Sequence, residues 1–120
     1  MKRNDLPHDH GNPMSKEFAE ALDSTDFQGV ADLFKQLGDS SRLRIFWLLC
    51  HREECVINIS AAVGMTSPAV SHHLRILKSS GLISSRREGK EMYYKAAESK
   101  TSVLLHSMIE KMVEIQCPGQ

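Results

Sequence analysis

The stretch Thr66–Ser80 has the sequence TSPAVSHHLRILKSS and predicts the helix around which the fold is organised. Thr66 or Ser67 can cap this helix, and Pro68 stands in its first turn, where a missing N–H is tolerated. One apolar stripe recurs at helical spacing, through Val70, Leu74 and Leu77. The other faces carry hydroxyls, an imidazole and two cations without a carboxylate, which suits a helix in a DNA major groove. An ordinary amphipathic surface helix is the alternative for this stretch alone.

The neighbouring segments favour the DNA-binding interpretation. Upstream, Ile57–Val63 is predicted to form a short helix that ends at Gly64, so that a tight turn joins two helices. Downstream, Leu82–Arg86 and Glu91–Lys95 have strand-like patterns and flank a turn in which Gly89 can take a positive φ. A helix-turn-helix followed directly by a basic hairpin predicts a winged DNA-binding domain.

These residues also carry a family resemblance. The segment ECVINISAAVGMTSPAVSHHLRILKSSGLISSRREGKEMYYKA resembles the winged-helix core of the ArsR/SmtB family of metal-responsive repressors. Its most specific parts are VSHHLRILKSSGLI and RREGKEMYY, and LGDSSRLRIFWLL upstream extends the resemblance to roughly Phe27–Glu114. The resemblance implies a mainly α, winged helix-turn-helix fold with a two-stranded β-hairpin wing and a C-terminal dimerisation helix. It also implies a homodimeric repressor that an inducer releases from its DNA operator.

The predicted DNA contacts lie on the second helix of the motif and on the hairpin. Base contacts are expected for Ser67, Ser71, His72 and Arg75. Phosphate contacts are expected for Lys78, Arg86, Arg87 and Lys90. The formal net charge of the chain is zero, but residues 66–90 hold five basic side chains against one acidic, and residues 1–40 hold four against eight. A localised basic face is what phosphate binding requires.

Composition sets the broad class of protein. The chain has 120 residues, 41% hydrophobic and 25% charged, which is typical of one soluble globular domain. We expect a flexible N-terminal arm over 1–14, the DNA-binding and dimerisation domain over 15–116, and a short tail over 117–120. No apolar run is long enough for a membrane span, so a cytoplasmic location is expected. No nucleophile–base pair, phosphate-binding glycine loop or paired-carboxylate site is recognisable, which argues against an enzyme.

Four further helices are predicted from periodicity and capping residues. The first covers Ser15–Leu22, with Phe18, Ala21 and Leu22 as its buried side. The second begins after Asp26 and carries a stripe of Phe27, Val30, Ala31, Phe34 and Leu37. The third covers Asp39–Arg52, and the last covers Glu98–Gln116 with apolar Val103, Leu104, Ile109, Met112 and Val113. Dimerisation is expected through the first and last of these helices.

Three cysteines, an odd number, argue against a disulfide framework and leave metal binding, redox chemistry or core packing. Cys50 is in register with Leu43 and Phe46, so core packing is its simple interpretation. Cys55 precedes a predicted helix, whose N-terminus favours the thiolate that binds metals. We expect Cys55 to bind a thiophilic inducer, zinc, cadmium or lead, with further ligands from Cys50, His51, His8, His10 and Cys117.

The chain departs from the family pattern at both of its usual metal sites. Many members have Cys-Val-Cys-Asp where this chain has Cys55-Val56-Ile57-Asn58. The positions of the interhelical zinc site carry over to Glu98, Lys100, Lys111 and Glu114, and a cationic lysine cannot coordinate a metal. The alternative to metal sensing is oxidant or persulfide sensing through a Cys55–Cys117 or Cys50–Cys55 disulfide. His106, with Glu110 and Glu98, is the next candidate should Cys55 not sense the inducer.

Overall fold

The computed structural model describes residues 6–117 and 119, and this part of the chain forms six helices and three short strands. In chain order they are α1 Lys16–Ser24, α2 Phe27–Gln36, α3 Ser40–His51, β1 Glu54–Cys55, α4 Val56–Val63, α5 Ser67–Ser79, β2 Ile83–Glu88, β3 Glu91–Ala96 and α6 Lys100–Gln116. This architecture confirms the predicted mainly α, winged helix-turn-helix class. Among the described residues, no helix is both long enough and apolar enough to span a membrane.

The chain divides into two compact units, Met1–Asp32 and Leu33–Gln120. The first unit contains α1, where the Ser15 hydroxyl accepts a hydrogen bond from the Phe18 amide at 3.1 Å, as expected of an N-cap. The division differs from the predicted boundaries after residues 14 and 116, which remain predictions. Residues 1–5 of the predicted arm, and 118 and 120 of the predicted tail, lie outside the described residues.

The prediction that the apolar side of α1 is buried is wrong for the single chain. Phe18 is 56% exposed and Leu22 is 37% exposed, whereas Ala19 is buried. The stripe on α2 is also largely exposed, at Phe27, Val30 and Phe34. Periodicity identifies an apolar face, but it cannot show whether the same chain covers that face.

The core of the second unit is contributed by α3 to α6 and by the start of β2. Its buried members are Ile45, Phe46, Leu49, Ile59, Val63, Val70, Leu74, Leu77, Leu82, Ile83, Leu105 and Ile109. The predicted stripe of α5 is therefore confirmed. Burying a side chain of this kind contributes about 1.5–3 kcal/mol, so α5 is held in place by its inner face and its outer face is left for other contacts.

The turn between α4 and α5 is defined by local hydrogen bonds. Gly64 ends α4 in the left-handed region, at φ 69°, which its missing Cβ permits. The Thr66 hydroxyl caps α5 by accepting from the Ala69 amide at 3.4 Å. A hydrogen bond of 3.2 Å also joins the hydroxyls of Ser60 and Ser67 across the turn. These contacts fix the entry of the chain into α5.

The hairpin is longer than predicted and belongs to a three-stranded antiparallel sheet of order β1-β3-β2. Glu88 pairs with Glu91, so the turn consists of Gly89 and Lys90, and Gly89 takes φ 62°. The short strand β1, which pairs Glu54 with Tyr94, was not predicted. Two residues are too few to show a strand period.

The terminal helix α6 has one inward and one outward face. Its buried residues are Ser102, Leu105 and Ile109. The Ser102 hydroxyl donates to the Leu82 carbonyl at 3.1 Å and so satisfies a buried polar group. Ile109 is in the core as predicted, whereas the other predicted apolar positions point outward and are exposed, namely Val103, Leu104, Met112 and Val113.

Candidate nucleic-acid interface and candidate metal site

The outer face of α5 is polar and accessible. Ser67, His72 and Arg75 are exposed, and Ser71 is half-buried. Each is placed there by the inward stripe of the same helix, because 3.6 residues per turn separate the two faces. The exposed side chains offer hydroxyl, imidazole and guanidinium groups that could reach the edges of bases.

The wing continues this face without a break. The Lys78 ammonium of α5 donates to the Ser85 hydroxyl of β2 at 2.6 Å, so the end of the helix is tied to the hairpin. Arg87 and Lys90, near the tip of the hairpin, are exposed. We call the surface formed by Ser67, Ser71, His72, Arg75, Lys78, Arg87 and Lys90 the reading surface.

Arg86 lies on the wing but is occupied by carboxylates. Its guanidinium reaches Glu53 at 2.7 Å and Glu88 at 2.7 Å, and it lies 5.0 Å from the centre of the Tyr93 ring. The hydrogen bonds that Arg86 donates to Glu53 and Glu88 raise the pKa of Arg86, and the bond to Glu53 lowers the pKa of that carboxyl. The charge of Arg86 is therefore paired within the chain, whereas its predicted phosphate contact stays a prediction.

Two arginines that were not predicted as functional residues connect α3 to the helix-turn-helix. The Arg42 guanidinium donates to His73 Nδ1 on α5 at 3.3 Å and to the Gln36 carbonyl at 3.0 Å. The Arg44 guanidinium donates to the carbonyl of Val63, at the end of α4, at 3.1 Å. Burial is the main cause that lowers the pKa of His73, and the charge of Arg42 acts in the same direction, so the neutral imidazole is favoured.

The predicted sulfur ligands occupy different environments. Cys55 is only 8% exposed, between β1 and α4. Cys50 is half-buried on α3, and burial, reinforced by the negative charge of Glu110, raises the pKa of its thiol to about 11. Cys117 is exposed at the end of α6. In the first unit, the rings of His8 and His10 stack with their centres 6.0 Å apart.

A different group of residues converges where α3 meets α6. His51 Nε2 lies 2.7 Å and His106 Nε2 lies 3.0 Å from the same atom, Oε1 of Glu110. The Trp47 indole N–H donates to that oxygen at 3.1 Å. These hydrogen bonds, with His51 the largest cause, lower the pKa of Glu110. We call His51, His106 and Glu110 the His-Glu cluster.

Within the described part of the chain, the His-Glu cluster is the group of three metal-binding side chains whose ligand atoms lie within 4.8 Å of one another. Among the described residues of the second unit, the predicted ligands Cys50, Cys55 and Cys117 do not form such a group, and His8 and His10 belong to the first unit. Sequence reasoning had named His51 as a possible further ligand and His106 with Glu110 as a second choice. It missed their convergence, because His51 is 59 residues from Glu110 along the chain.

Comparison with known proteins identifies the chain. The family model described as "Bacterial regulatory protein, arsR family" matches residues 39–85, from the start of α3 into the wing. A transcriptional repressor SmtB homolog of Synechocystis is 34% identical over 110 residues, which cover 92% of this chain and 83% of the relative. The chain belongs to the ArsR/SmtB family. It is therefore a DNA-binding transcriptional regulator rather than an enzyme.

Two further similarities extend over most of this ArsR/SmtB protein. The cadmium resistance transcriptional regulatory protein CadC homolog of Staphylococcus aureus is 32% identical, with 75% of each chain covered. The homodimeric winged helix-turn-helix DNA-binding domain of a Mycobacterium bovis protein, solved by NMR, superimposes with a TM-score of 0.66 at 32% identity. That match covers 89% of this chain and 94% of the other.

The two family metal positions look unlike metal sites in this chain. At the interhelical position, Glu98 pairs with Lys95 at 3.6 Å, and Lys100, Lys111 and Glu114 are exposed. At the other position, Ile57 is 66% exposed, so an apolar side chain projects where a second thiolate would be needed. A metal at either position would require ligands from outside these motifs.

Proposed function

We propose that the protein is a dimeric repressor that binds a specific operator and leaves it when a metal inducer binds. The observation that carries this proposal is the reading surface, in which the exposed polar face of α5 continues into the wing through the 2.6 Å contact of Lys78 with Ser85. A helix supported by a buried stripe can enter a major groove without losing its place in the core.

The roles within the reading surface follow from side-chain chemistry and position. Arg75 and His72 are exposed at the middle of α5 and suit hydrogen bonds with base edges, together with Ser67 and Ser71. Arg87 and Lys90 on the wing, and Lys78 at the end of α5, suit phosphates, which carry no sequence information directly. We assign Arg86 to holding the wing against Glu53.

Dimerisation is supported by apolar side chains that the single chain leaves uncovered. On α6 the exposed large apolar residues are Val103, Leu104, Met108, Met112, Val113 and Ile115. On α1 they are Phe18 and Leu22. Large apolar side chains exposed along a helix are typical of an interface between subunits. A two-fold dimer would place its reading helices about 34–36 Å apart, in successive major grooves of an inverted repeat.

A metal inducer is supported by the similarity to a cadmium resistance regulator. We retain the hypothesis that Cys55 binds a thiophilic ion, zinc, cadmium or lead, with ligands drawn from Cys50, Cys117, His8 and His10. Cys55 precedes α4, which leads through Gly64 into α5, so an ion held there acts close to the reading helix. The raised pKa of Cys50 disfavours its thiolate, the form that both metal binding and a redox switch at Cys50 require.

The test is fluorescence anisotropy of labelled DNA from the region upstream of the protein's own gene, with random DNA as the competitor. The proposal predicts specific binding that weakens as salt increases and is reversed by Cd²⁺ or Zn²⁺. Cys55→Ser should keep specific binding and lose release by Cd²⁺. Release that is unchanged in Cys55→Ser would contradict the role of Cys55, and equal binding to both DNAs would contradict the reading surface.

A further inference from the structure

We propose that the His-Glu cluster is a binding site for Zn²⁺ that links α3 to α6. Two imidazole nitrogens and one carboxylate oxygen already converge, with His51 Nε2 at 2.7 Å and His106 Nε2 at 3.0 Å from Glu110 Oε1. His106 and Glu110 are four residues apart on α6 and so share one face of the helix, and His51 comes from the end of α3. The site uses none of the cysteines.

The geometry requires only small adjustments to accept an ion. Zinc bonds of about 2.0–2.1 Å in tetrahedral geometry place neighbouring ligand atoms roughly 3.3–3.4 Å apart. The two hydrogen-bond distances are slightly shorter than this, and all three ligand atoms lie within 4.8 Å of one another. The relative exposures of the His51, His106 and Glu110 side chains are 44%, 32% and 38%, so the site is accessible and the side chains can shift. The helices need not move.

The donor set selects the class of ion. Imidazole and carboxylate suit borderline divalent ions such as zinc, whereas cadmium and lead prefer thiolates. On binding, bonds to the ion replace the hydrogen bonds to Glu110, and each neutral imidazole binds through its Nε2 lone pair and carries its one ring proton on Nδ1. The Trp47 indole, 3.1 Å from Glu110 Oε1, is placed to hold the carboxylate from outside the metal shell. Solvent completes the fourth position.

The His-Glu cluster is mechanically connected to the reading helix. Its ligand His51 ends α3, and near the other end of that helix Arg42 contacts His73 of α5 at 3.3 Å. An ion that joins α3 to α6 would therefore restrict the movement of α3, the helix that contacts α5. The effect on DNA rests on the proposed function, because the ion changes operator affinity only by binding the free and DNA-bound conformations differently. Binding of zinc itself does not depend on it.

The experiment is a titration of the full-length protein with Co²⁺, a spectroscopic substitute for zinc, followed by competition with Zn²⁺. We expect one Co²⁺ per chain at this site, with visible bands of tetrahedral geometry that persist in Cys55→Ser, where the proposed cysteine site lacks its thiolate. Glu110→Gln and His106→Gln should each weaken binding at least tenfold, and Trp47→Phe about 10–100-fold, the usual loss for an outer partner. Glu114→Gln, one turn further along α6, is the matched control and should bind like the wild type.

Two results would overturn the zinc site. The first is wild-type affinity in both Glu110→Gln and His106→Gln. The second is the loss of all tetrahedral cobalt bands in Cys55→Ser, which would place the only bound ion on sulfur. Since a variant could fail to fold, the imidazole NMR signals of the wild type, recorded with and without Zn²⁺, give a measurement that needs no variant. His51 and His106 should shift, with His72 and His73 unchanged, whereas shifts confined to His8 and His10 would contradict the proposal.

The DNA experiment separates this inference from the proposed function. Cobalt binding at the His-Glu cluster without specific DNA binding would leave the zinc site intact and contradict the repressor. Zinc-dependent release that persists in Glu110→Gln and is lost in Cys55→Ser would support the repressor with its cysteine sensor. If Glu110→Gln also binds cobalt as tightly as the wild type, this pattern of release would overturn the His-Glu site.

Discussion

The reading surface and the His-Glu cluster are both polar, but their groups are arranged in opposite ways. On the reading surface, Arg75, Arg87 and Lys90 are exposed and separated along α5 and the wing. In the His-Glu cluster, two imidazoles and an indole converge on one carboxylate oxygen within 3.1 Å. The first arrangement suits an extended, highly charged polymer, and the second suits a small cation. Arg86 combines features of both, because it lies on the wing but its charge is paired by Glu53 at 2.7 Å.

The largest expected effect comes from removing the support that holds the reading surface in place. Leu74→Ala deletes a fully buried side chain of α5 and should lower the free energy of unfolding by about 2–5 kcal/mol. Urea unfolding followed by circular dichroism measures this, with the outward-facing Arg75→Ala as the control. A loss below about 1 kcal/mol for Leu74→Ala would show that α5 is not anchored by its stripe.

The second-largest expected effect is on the recognition of bases. His72→Ala and Ser71→Ala should each reduce discrimination between operator and random DNA by about 1–3 kcal/mol, because a base-specific contact is lost. Competition binding with both DNAs measures this difference. Equal weakening on both kinds of DNA would mean that these side chains contact only the backbone.

Phosphate contacts should produce a smaller, sequence-independent loss. Arg87→Ala and Lys90→Ala should weaken binding to all sequences alike and reduce the slope of log affinity against log salt by about one unit each. Arg86→Ala provides the comparison, since its charge is paired by Glu53 and Glu88, and it should change the slope less. A slope change in Arg86→Ala as large as that in Arg87→Ala would contradict the pairing.

The smallest expected effect is on the pH dependence of stability. Arg86 lowers the pKa of Glu53 below its usual 4.5, so the pair stabilises the fold above that pH and the stabilisation is lost as pH falls through the lower folded value. In Arg86→Met the acid-induced loss of stability over that window should be weaker. Thermal melts between pH 6 and about pH 2 measure this. Superimposable pH profiles would show that the pair contributes nothing in solution.

The elements that sequence could predict were those with a local signal. The stripe of α5, the glycine between α4 and α5 and the glycine of the hairpin each act within a few residues, and the structure shows all three. The strand β1 is too short for a pattern. The exposed faces of α1 and α6 follow the expected period, but periodicity does not show what covers them.

The functional residues likewise divide into those that a local sequence pattern predicts and those that only the folded structure brings together. The exposure of Ser67, His72 and Arg75 follows from their place on α5 relative to its stripe. The pairing of Arg86 with Glu53 and the convergence of His51 on Glu110 join residues 33 and 59 positions apart. Only the packing of α3, α6 and the sheet creates such contacts, so no local pattern could indicate them.

The most direct test of the central claim is the binding of the wild-type protein to operator and to random DNA across a range of salt concentrations. The proposed role of the reading surface predicts that operator DNA is bound at least about 10³-fold more tightly than random DNA at physiological salt. It also predicts that log affinity for both falls linearly with log salt, as expected when cations of the reading surface displace counterions. Equal affinities for the two DNAs, or affinities independent of salt, would contradict the claim that this surface reads DNA.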